Sequence, residues 1–79
     1  MRLEVYQYGG DMSVHENIRS INVKTSIGEK GFLKDHMEFF GELTKGALAF
    51  LDRDGRVNKR DIEAGYVKFH NNICQVFML

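Results

Sequence analysis

Residues 47–62 read ALAFLDRDGRVNKRDI, and this stretch decides the class of fold. Two segments, residues 47–51 and 56–62, flank the pair Asp54-Gly55. An Asp-Gly pair between two such segments is the signal for a tight β-hairpin in which both central residues have positive φ. The stretch therefore predicts two antiparallel strands joined by a turn at Asp54 and Gly55.

Further strand patterns extend outward from this hairpin in both directions. Asn71 and Asn72 tolerate the left-handed backbone that a second hairpin needs, and glycines end several of the other segments. The segments are residues 3–8, 12–16, 21–25, 32–33, 66–69 and 73–77. With the first hairpin they make eight to ten short strands, which predicts an all-β fold, an antiparallel sandwich or flattened barrel. No linker or internal repeat divides the chain, so residues 1–79 are expected to form a single domain.

The segment 37–43 leaves helix and strand open as alternatives. Its apolar residues include Met37, Phe39, Phe40 and Leu43, and this spacing fits a helical face about as well as a strand. On a strand, the adjacent Phe39 and Phe40 would point to opposite faces. One of the two aromatic rings would then be exposed unless a partner or a loop covers it.

Composition excludes several classes of function. The 79 residues carry eleven Lys and Arg against eleven Asp and Glu, so there is no net basic field to attract nucleic acid. The single cysteine, Cys74, cannot form an internal disulfide, which favours a reducing compartment. The sequence contains no signal-peptide pattern and no apolar run of about 20 residues, which predicts a soluble, cytoplasmic protein.

No candidate catalytic or metal site stands out. Residues 52–61 resemble part of a calcium loop, but Phe50 stands where the first acidic ligand is needed, and a plain hairpin turn is the favoured interpretation. His15, His36 and His70 lack partners at zinc-binding spacing, and only His36 is weighed as a partner contact. Cys74 stands between Ile73 and Val76 in a strand that is expected to be half-buried, so it is expected to be inert. The glycines match no nucleotide-binding motif, so we expect no cofactor, no metal and no enzymatic activity.

A resemblance to a known family is carried by two stretches, residues 28–39 (GEKGFLKDHMEF) and 43–48 (LTKGAL). They resemble the N-terminal β domain of the epsilon subunit of F-type ATP synthases, called delta in mitochondria. The positions that fall in register with that family are Gly28, Glu29, Gly31, Leu33, His36, Leu43, Gly46 and Leu48. The opening strand and the closing hairpin are similar as well, so the resemblance covers nearly the whole chain.

The chain also departs from the family pattern. The family's prolines are replaced by Lys34, Glu38 and Lys45, which predicts a more mobile loop because φ is no longer fixed. Asp35 stands where the family has a glycine before the histidine. Family members commonly continue into a C-terminal helical pair that inhibits ATP hydrolysis; we expect a short form without it, and so without inhibition or ATP sensing through those helices.

The resemblance implies a non-catalytic central-stalk subunit of a proton-translocating ATP synthase, with the gamma subunit and the polar loops of the c-ring as partners. It would place Glu29, with Gly28 and Lys30, on a loop facing the c-ring. It would place His36, Met37, Phe39 and Phe40 toward the stalk, with one phenylalanine as an interface anchor. The expected location is peripheral, on the cytoplasmic side of a bacterial inner membrane.

The alternative is a stand-alone β-sandwich domain, regulatory or ligand-binding, that is unrelated to the rotor. The replaced prolines and the expected absence of the helical pair keep this alternative open, because a fold does not fix a function.

Overall fold

The computed structural model describes residues 1–79 and consists of strands joined by turns and loops. No helix is long and apolar enough to cross a membrane. The nine strands are β1 (Arg2–Gln7), β2 (Met12–His15), β3 (Ser20–Thr25), β4 (Gly28–Phe32), β5 (Phe39–Leu43), β6 (Gly46–Leu51), β7 (Val57–Ile62), β8 (Gly65–His70) and β9 (Ile73–Met78). The all-β fold predicted from the sequence is confirmed.

The strands form one sheet that curls into two layers. Its order is β2-β1-β9-β8-β5-β3-β6-β7, with β4 paired to β3. Strands β5 and β3 share a single register pair, Leu43 with Thr25, so the sheet folds over at this point. Contacts between the layers include the stacked rings of Phe32 and Phe69, whose centroids are 5.1 Å apart. We call β2-β1-β9-β8-β5 the first layer and β4-β3-β6-β7 the second.

Strand pairing is antiparallel with one exception. Strand β1 pairs with β9 in parallel, from Arg2 opposite Ile73 to Gln7 opposite Met78. The first and last strands of the chain therefore lie side by side in the middle of the first layer.

The core lies between the two layers and is built from alternate residues of the strands. In β8, for example, Val67 and Phe69 are buried while Lys68 and His70 are exposed. Fifteen buried hydrophobic residues form one cluster: Leu3, Val5, Ile18, Ile21, Val23, Phe32, Leu43, Leu48, Phe50, Ile62, Val67, Phe69, Cys74, Val76 and Met78. Burial of this apolar area is the main force that holds the layers together.

The backbone conformation predicted for the turns is correct in one hairpin and wrong in another. Asn71 and Asn72 both have positive φ, as predicted for the β8–β9 hairpin. In the β6–β7 hairpin only Gly55 has positive φ, so the prediction of positive φ at Asp54 is wrong. The reason is loop length: Leu51 pairs with Val57, and the five residues between them leave room for a wider turn. Asp52 organises that turn by accepting hydrogen bonds from the backbone N–H groups of Asp54 and Arg56.

The structure also gives the conformation of two segments that contain predicted contact residues. Residues 39–43 form the strand β5 rather than a helix, because Phe39 and Leu43 turn toward the core and the strand pairs along its length with β8. Residues 28–30 form the start of β4, so the expectation that they lie on a loop is wrong. Thr25 and Gly28 are directly paired, which leaves only Ser26 and Ile27 as the turn.

Candidate functional site

The β3–β4 hairpin carries the first group of predicted contact residues. Gly28 has a φ of 113°, which an L-residue rarely adopts, and its carbonyl accepts a hydrogen bond of 2.7 Å from the hydroxyl of Thr25. Glu29 follows it and is exposed, with Lys24 directly opposite on β3. Ile27, at the tip of the turn, is 82% exposed. Sequence reasoning missed Ile27 because it took Gly28 as the end of the preceding strand.

Lys30 differs from Glu29 in its environment. It lies on the inner side of β4, is half-buried, and holds its Nζ 4.8 Å from the ring centroid of Phe39. A lysine ammonium in this position is attracted by the electron-rich face of the ring. Lys30 therefore links β4 to β5 within the molecule and is less available to a partner than Glu29 is.

The loop 33–38 carries the second group and is fastened to the β8–β9 turn. The backbone N–H of Asp35 donates to the side-chain oxygen of Asn72 at 2.6 Å, and the Asn72 amide donates back to the Asp35 carboxylate at 2.9 Å. Asp35 has a φ of 66°, the left-handed conformation that Asp tolerates better than most residues. We call this reciprocal pair the Asp35–Asn72 clasp. The imidazole of His70 also pairs with the carboxylate of Glu38 at the end of the same loop.

His36 anchors the loop from inside. Its ring meets the rings of Phe32 and Phe69 edge to face, at centroid distances of 5.1 and 5.6 Å. Its Nδ1 lies 2.7 Å from the carbonyl oxygen of Met37. The side chain of Met37 is 75% exposed. The loop thus presents Met37 outward, while His36 is half-buried against the core.

The two phenylalanines of β5 separate as their adjacency predicts. Phe39 packs against the core, with its ring centroid 5.7 Å from that of Phe32. Phe40 is 68% exposed and stacks on Tyr66 of β8 with a centroid distance of 5.9 Å. A shallow groove of about 410 Å³ lies beside Phe40 and is also lined by Glu38, Lys68 and His70. Phe40 is therefore the exposed aromatic residue of the pair.

The side chains weighed in the sequence as a nucleophile or as metal ligands have structural roles. Burial raises the pKa of the Cys74 thiol to about 12, so Cys74 is a poor nucleophile. Hydrogen bonds, first of all from the backbone N–H of Arg56, lower the pKa of Asp52, whose oxygens organise the hairpin turn. The ring of His15 packs against Phe50. The structure contains no cluster of three or more His, Cys, Asp or Glu side chains that could hold a metal ion.

One polar network escaped the sequence analysis. Glu4 is buried, although its side chain lies on the outer face of β1, on the opposite side from the core residues Leu3 and Val5. Its carboxylate accepts hydrogen bonds from Gln75 at 2.9 Å and from the Tyr6 hydroxyl at 2.7 Å, and lies 2.8 Å from the Nε of Arg2. The hydrogen bond from Gln75 is the largest cause that lowers the pKa of Glu4. Gln75 lies 71 positions away in sequence, and no local pattern indicates such a pair.

The predicted contact residues fall into two separate groups at opposite ends of β4. Gly28 and Glu29 lie at its start, and the loop with His36 and Met37 follows its last residue, Phe32. Five strand residues separate the ends by about 14 Å. Exposed apolar side chains accompany both groups: Ile27 lies beside the first, and Met37 and Phe40 belong to the second.

Comparison with known proteins identifies the family. The family model for the ATP synthase delta/epsilon chain, beta-sandwich domain, matches residues 2–78, so the chain belongs to this family. This confirms the resemblance found in the sequence. A search of curated proteins finds no match.

Two solved structures share the fold. One is a chain in the cryo-EM structure of the Euglena gracilis mitochondrial ATP synthase, OSCP/F1/c-ring in rotational state 1, with a TM-score of 0.86 and 18% identity over 96% of this chain and 48% of that chain. The other is from the Tetrahymena thermophila mitochondrial ATP synthase, central stalk and c-ring, with a TM-score of 0.79 and 15% identity over 100% of this chain and 63% of that chain. The chain spans about half the length of the first and under two thirds of the second.

Proposed function

We propose that this chain is a non-catalytic central-stalk subunit of a proton-translocating F-type ATP synthase, and that it couples the gamma shaft to the c-ring. The observation that carries the proposal is the match of the delta/epsilon family model to residues 2–78. The similarity to chains from structures of F1/c-ring and central stalk/c-ring assemblies supports the same role. The subunit would be peripheral to the membrane, on the cytoplasmic side of a bacterial inner membrane.

The two groups of predicted contact residues suit a subunit that touches two partners. Glu29 and the neighbouring Gly28 would face the polar loops of the c-ring, where an exposed carboxylate on a turn can orient a basic or amide-bearing loop. Lys30 belongs to this group by position, although its contact with Phe39 draws it inward. His36 and the segment from Met37 to Phe40 would face gamma, with the exposed Phe40 as the aromatic anchor.

Co-purification with the host's gamma subunit and c-ring tests the role of Glu29. We expect Glu29→Lys to weaken retention on the c-ring by about tenfold, because a charge reversal at a contact introduces repulsion. Asp54→Lys is the matched control, since Asp54 is an exposed acid in the β6–β7 turn, at the opposite end of β3 from this hairpin. Equal retention of Glu29→Lys and wild type on the c-ring would remove Glu29 from the interface.

Comparing Phe39→Ala with Phe40→Ala separates core from interface. Phe39→Ala is expected to lower the free energy of unfolding by about 3 kcal/mol, because its ring packs against the core. Phe40→Ala should change stability by under about 1 kcal/mol while it weakens gamma binding by tenfold or more. Urea unfolding and a gamma-binding titration measure the two quantities. Equal losses of stability in Phe39→Ala and Phe40→Ala would contradict the assignment of Phe40 as an anchor.

Failure of the folded wild-type chain to associate with either gamma or the c-ring would favour the stand-alone domain. In that case the intact fold would serve another partner or a ligand.

A further inference from the structure

Three strands of the sandwich, β2, β4 and β7, pair with one neighbour each and leave their other edge free. The backbone N–H and C=O groups along a free edge can pair with a strand of another chain. Strand β2 has four residues, and the outer face of β4 carries one charged side chain, Glu29. Strand β7 has six residues and carries charges of both signs among its exposed side chains, Lys59 and Asp61. Of the three free edges, β7 therefore has both the length and the charge pattern to select a partner.

The hydrogen bonding of the β6–β7 hairpin identifies the backbone groups of β7 that are free to pair. At the turn end of this ladder, the backbone N–H of Asp52 donates to the carbonyl oxygen of Arg56 at 2.9 Å. Hydrogen-bonded pairs alternate with other pairs in an antiparallel ladder, so every second residue of β7 counted from Arg56 directs its backbone groups toward β6. The residues between them direct theirs away from β6, and their side chains are the exposed ones of the strand: Val57, Lys59 and Asp61.

We infer that the free edge of β7 pairs with the β7 edge of a second copy of this chain, antiparallel about a two-fold axis at Arg60. In this register Lys59 of each copy lies directly opposite Asp61 of the other, and each of these pairs exchanges two backbone hydrogen bonds. The symmetry makes the same contact twice, so the two charge pairs flank the axis. The second layers of the two copies then join into one continuous sheet. This pairing belongs to the free chain and does not depend on the proposed function.

Charge selects this register from its neighbours. An axis at Lys59 would place the two Lys59 ammonium groups opposite each other, and an axis at Asp61 would do the same with two carboxylates. Like charges directly opposite on paired strands are destabilising, whereas opposite charges stabilise the pair. Of these three axes, the one at Arg60 alone places each Lys59 opposite an Asp61. The strand is therefore complementary to itself in one register.

Two further features agree with a second copy as the partner. The Arg60 side chains lie on the inner side of the strands, where each Nη2 donates to the Oε1 of Gln7 on β1 of its own chain at 2.5 Å. The two guanidinium groups are thus held away from the axis at which their backbones meet. Charged side chains on an edge also discourage pairing with an apolar strand, because such a strand leaves both charges without partners. A second β7 supplies a partner for each.

Sedimentation equilibrium of the purified chain tests the pairing with charge variants. A contact between two single strands is small, so we expect a weak dimer with a dissociation constant on the order of 100 μM. Lys59→Asp and Asp61→Lys change exposed side chains, so both variants are expected to fold. Each places like charges opposite each other and should weaken its own dimer at least tenfold. Lys68→Asp is the matched control and should dimerise as wild type does, since exposed Lys68 lies on β8, which has a strand on either side.

An equimolar mixture of Lys59→Asp and Asp61→Lys makes the test specific to this register. In the mixed dimer every aspartate of one variant lies opposite a lysine of the other, so we expect the affinity of wild type to be restored. A mixture that dimerises no better than either variant alone would overturn the inference.

Amide hydrogen exchange of the wild type locates the contact without any variant. The N–H groups of Lys59 and Asp61 should exchange at least twofold more slowly at about 1 mM chain than at about 10 μM, because they become hydrogen-bonded in the dimer. A wild type that stays monomeric at about 1 mM would overturn the inference. Slowing confined to another strand, such as β2 or β4, would also overturn it. The proposed function would stand in each case, because binding to gamma and the c-ring is measured separately.

Discussion

At the scale of single residues, Gly65 shows how closely two strands approach. A Cβ built on Gly65 would overlap the backbone carbonyl oxygen of Phe77 on β9. Both glycines have positive φ, 158° at Gly65 and 81° at Gly55. A Cβ built on Gly55 meets no atom within 4 Å. The two glycines therefore separate the cost of a steric overlap with backbone from the cost of backbone conformation alone.

We predict that Gly65→Ala lowers the free energy of unfolding by about 3 kcal/mol or more, because the β8–β9 pair must move apart. Gly55→Ala should cost only about 1 kcal/mol, the usual penalty of a left-handed conformation for an L-residue. Urea unfolding followed by circular dichroism measures both values. A Gly65→Ala loss no larger than that of Gly55→Ala would contradict the close approach seen between these strands.

At the scale of elements, the loop 33–38 is held by side chains from a turn that is distant in sequence. The family's prolines are absent, so the loop's own backbone does not fix its shape. The Asp35–Asn72 clasp and the pairing of Glu38 with His70 supply contacts to the β8–β9 turn instead. The replaced prolines predict a more mobile loop, and this stays a prediction. The Asp35–Asn72 clasp would reduce such motion.

Removing the clasp should release the loop. Asn72→Gly keeps the backbone freedom that a φ of 61° requires and deletes both hydrogen bonds to Asp35. We expect amide hydrogen exchange at Asp35 and His36 to accelerate about tenfold, with a stability loss of about 1 kcal/mol. Asn71→Gly is the control, because Asn71 lies in the same turn with a similar φ and its side chain bonds only His70. Similar exchange in both variants would argue against the clasp.

Sequence reasoning succeeded where the information was local. The β8–β9 hairpin follows from two asparagines that adopt the left-handed conformation. The segment 37–43 stayed ambiguous because its strand identity depends on pairing with β8, which begins more than 20 positions later. The turn between β3 and β4 was predicted to be longer than it is, because glycine commonly ends a strand. In the structure Gly28 instead pairs with Thr25 as the first residue of β4. Of the candidate site, adjacency predicted the opposite faces of Phe39 and Phe40, but no local pattern pairs the ring of Phe40 with that of Tyr66 on β8.

At the scale of the whole molecule, the parallel pairing of β1 with β9 joins the two ends of the sequence. The side chain of Glu4 on β1 crosses this seam to Gln75 on β9, and neighbouring Tyr6 and Arg2 complete the network. The seam lies in the middle of the first layer, and the lowered pKa of Glu4 in the folded state predicts that its ionised carboxylate stabilises the fold.

The pH dependence of unfolding tests this coupling. Hydrogen bonds from Gln75 and Tyr6 and the charge of Arg2 lower the pKa of Glu4 in the folded state. Its contribution is therefore fully present above the ordinary carboxyl pKa, about 4.3, and is lost as pH falls through the lowered folded value. We expect wild type to be more stable than Glu4→Gln at pH 7 and the difference to shrink toward pH 3, as measured by urea midpoints.

Comparison with wild type at each pH cancels the contribution of Asp52, whose pKa is also lowered and which both proteins retain. Glu29→Gln serves as the control, because Glu29 is exposed on the β3–β4 hairpin, and its difference from wild type should stay small at every pH. A Glu4→Gln difference that is the same at pH 7 and pH 3 would mean that the Glu4 network stabilises the seam by packing rather than by charge. The acid sensitivity of the sandwich would then have to come from carboxylates away from the β1–β9 pair.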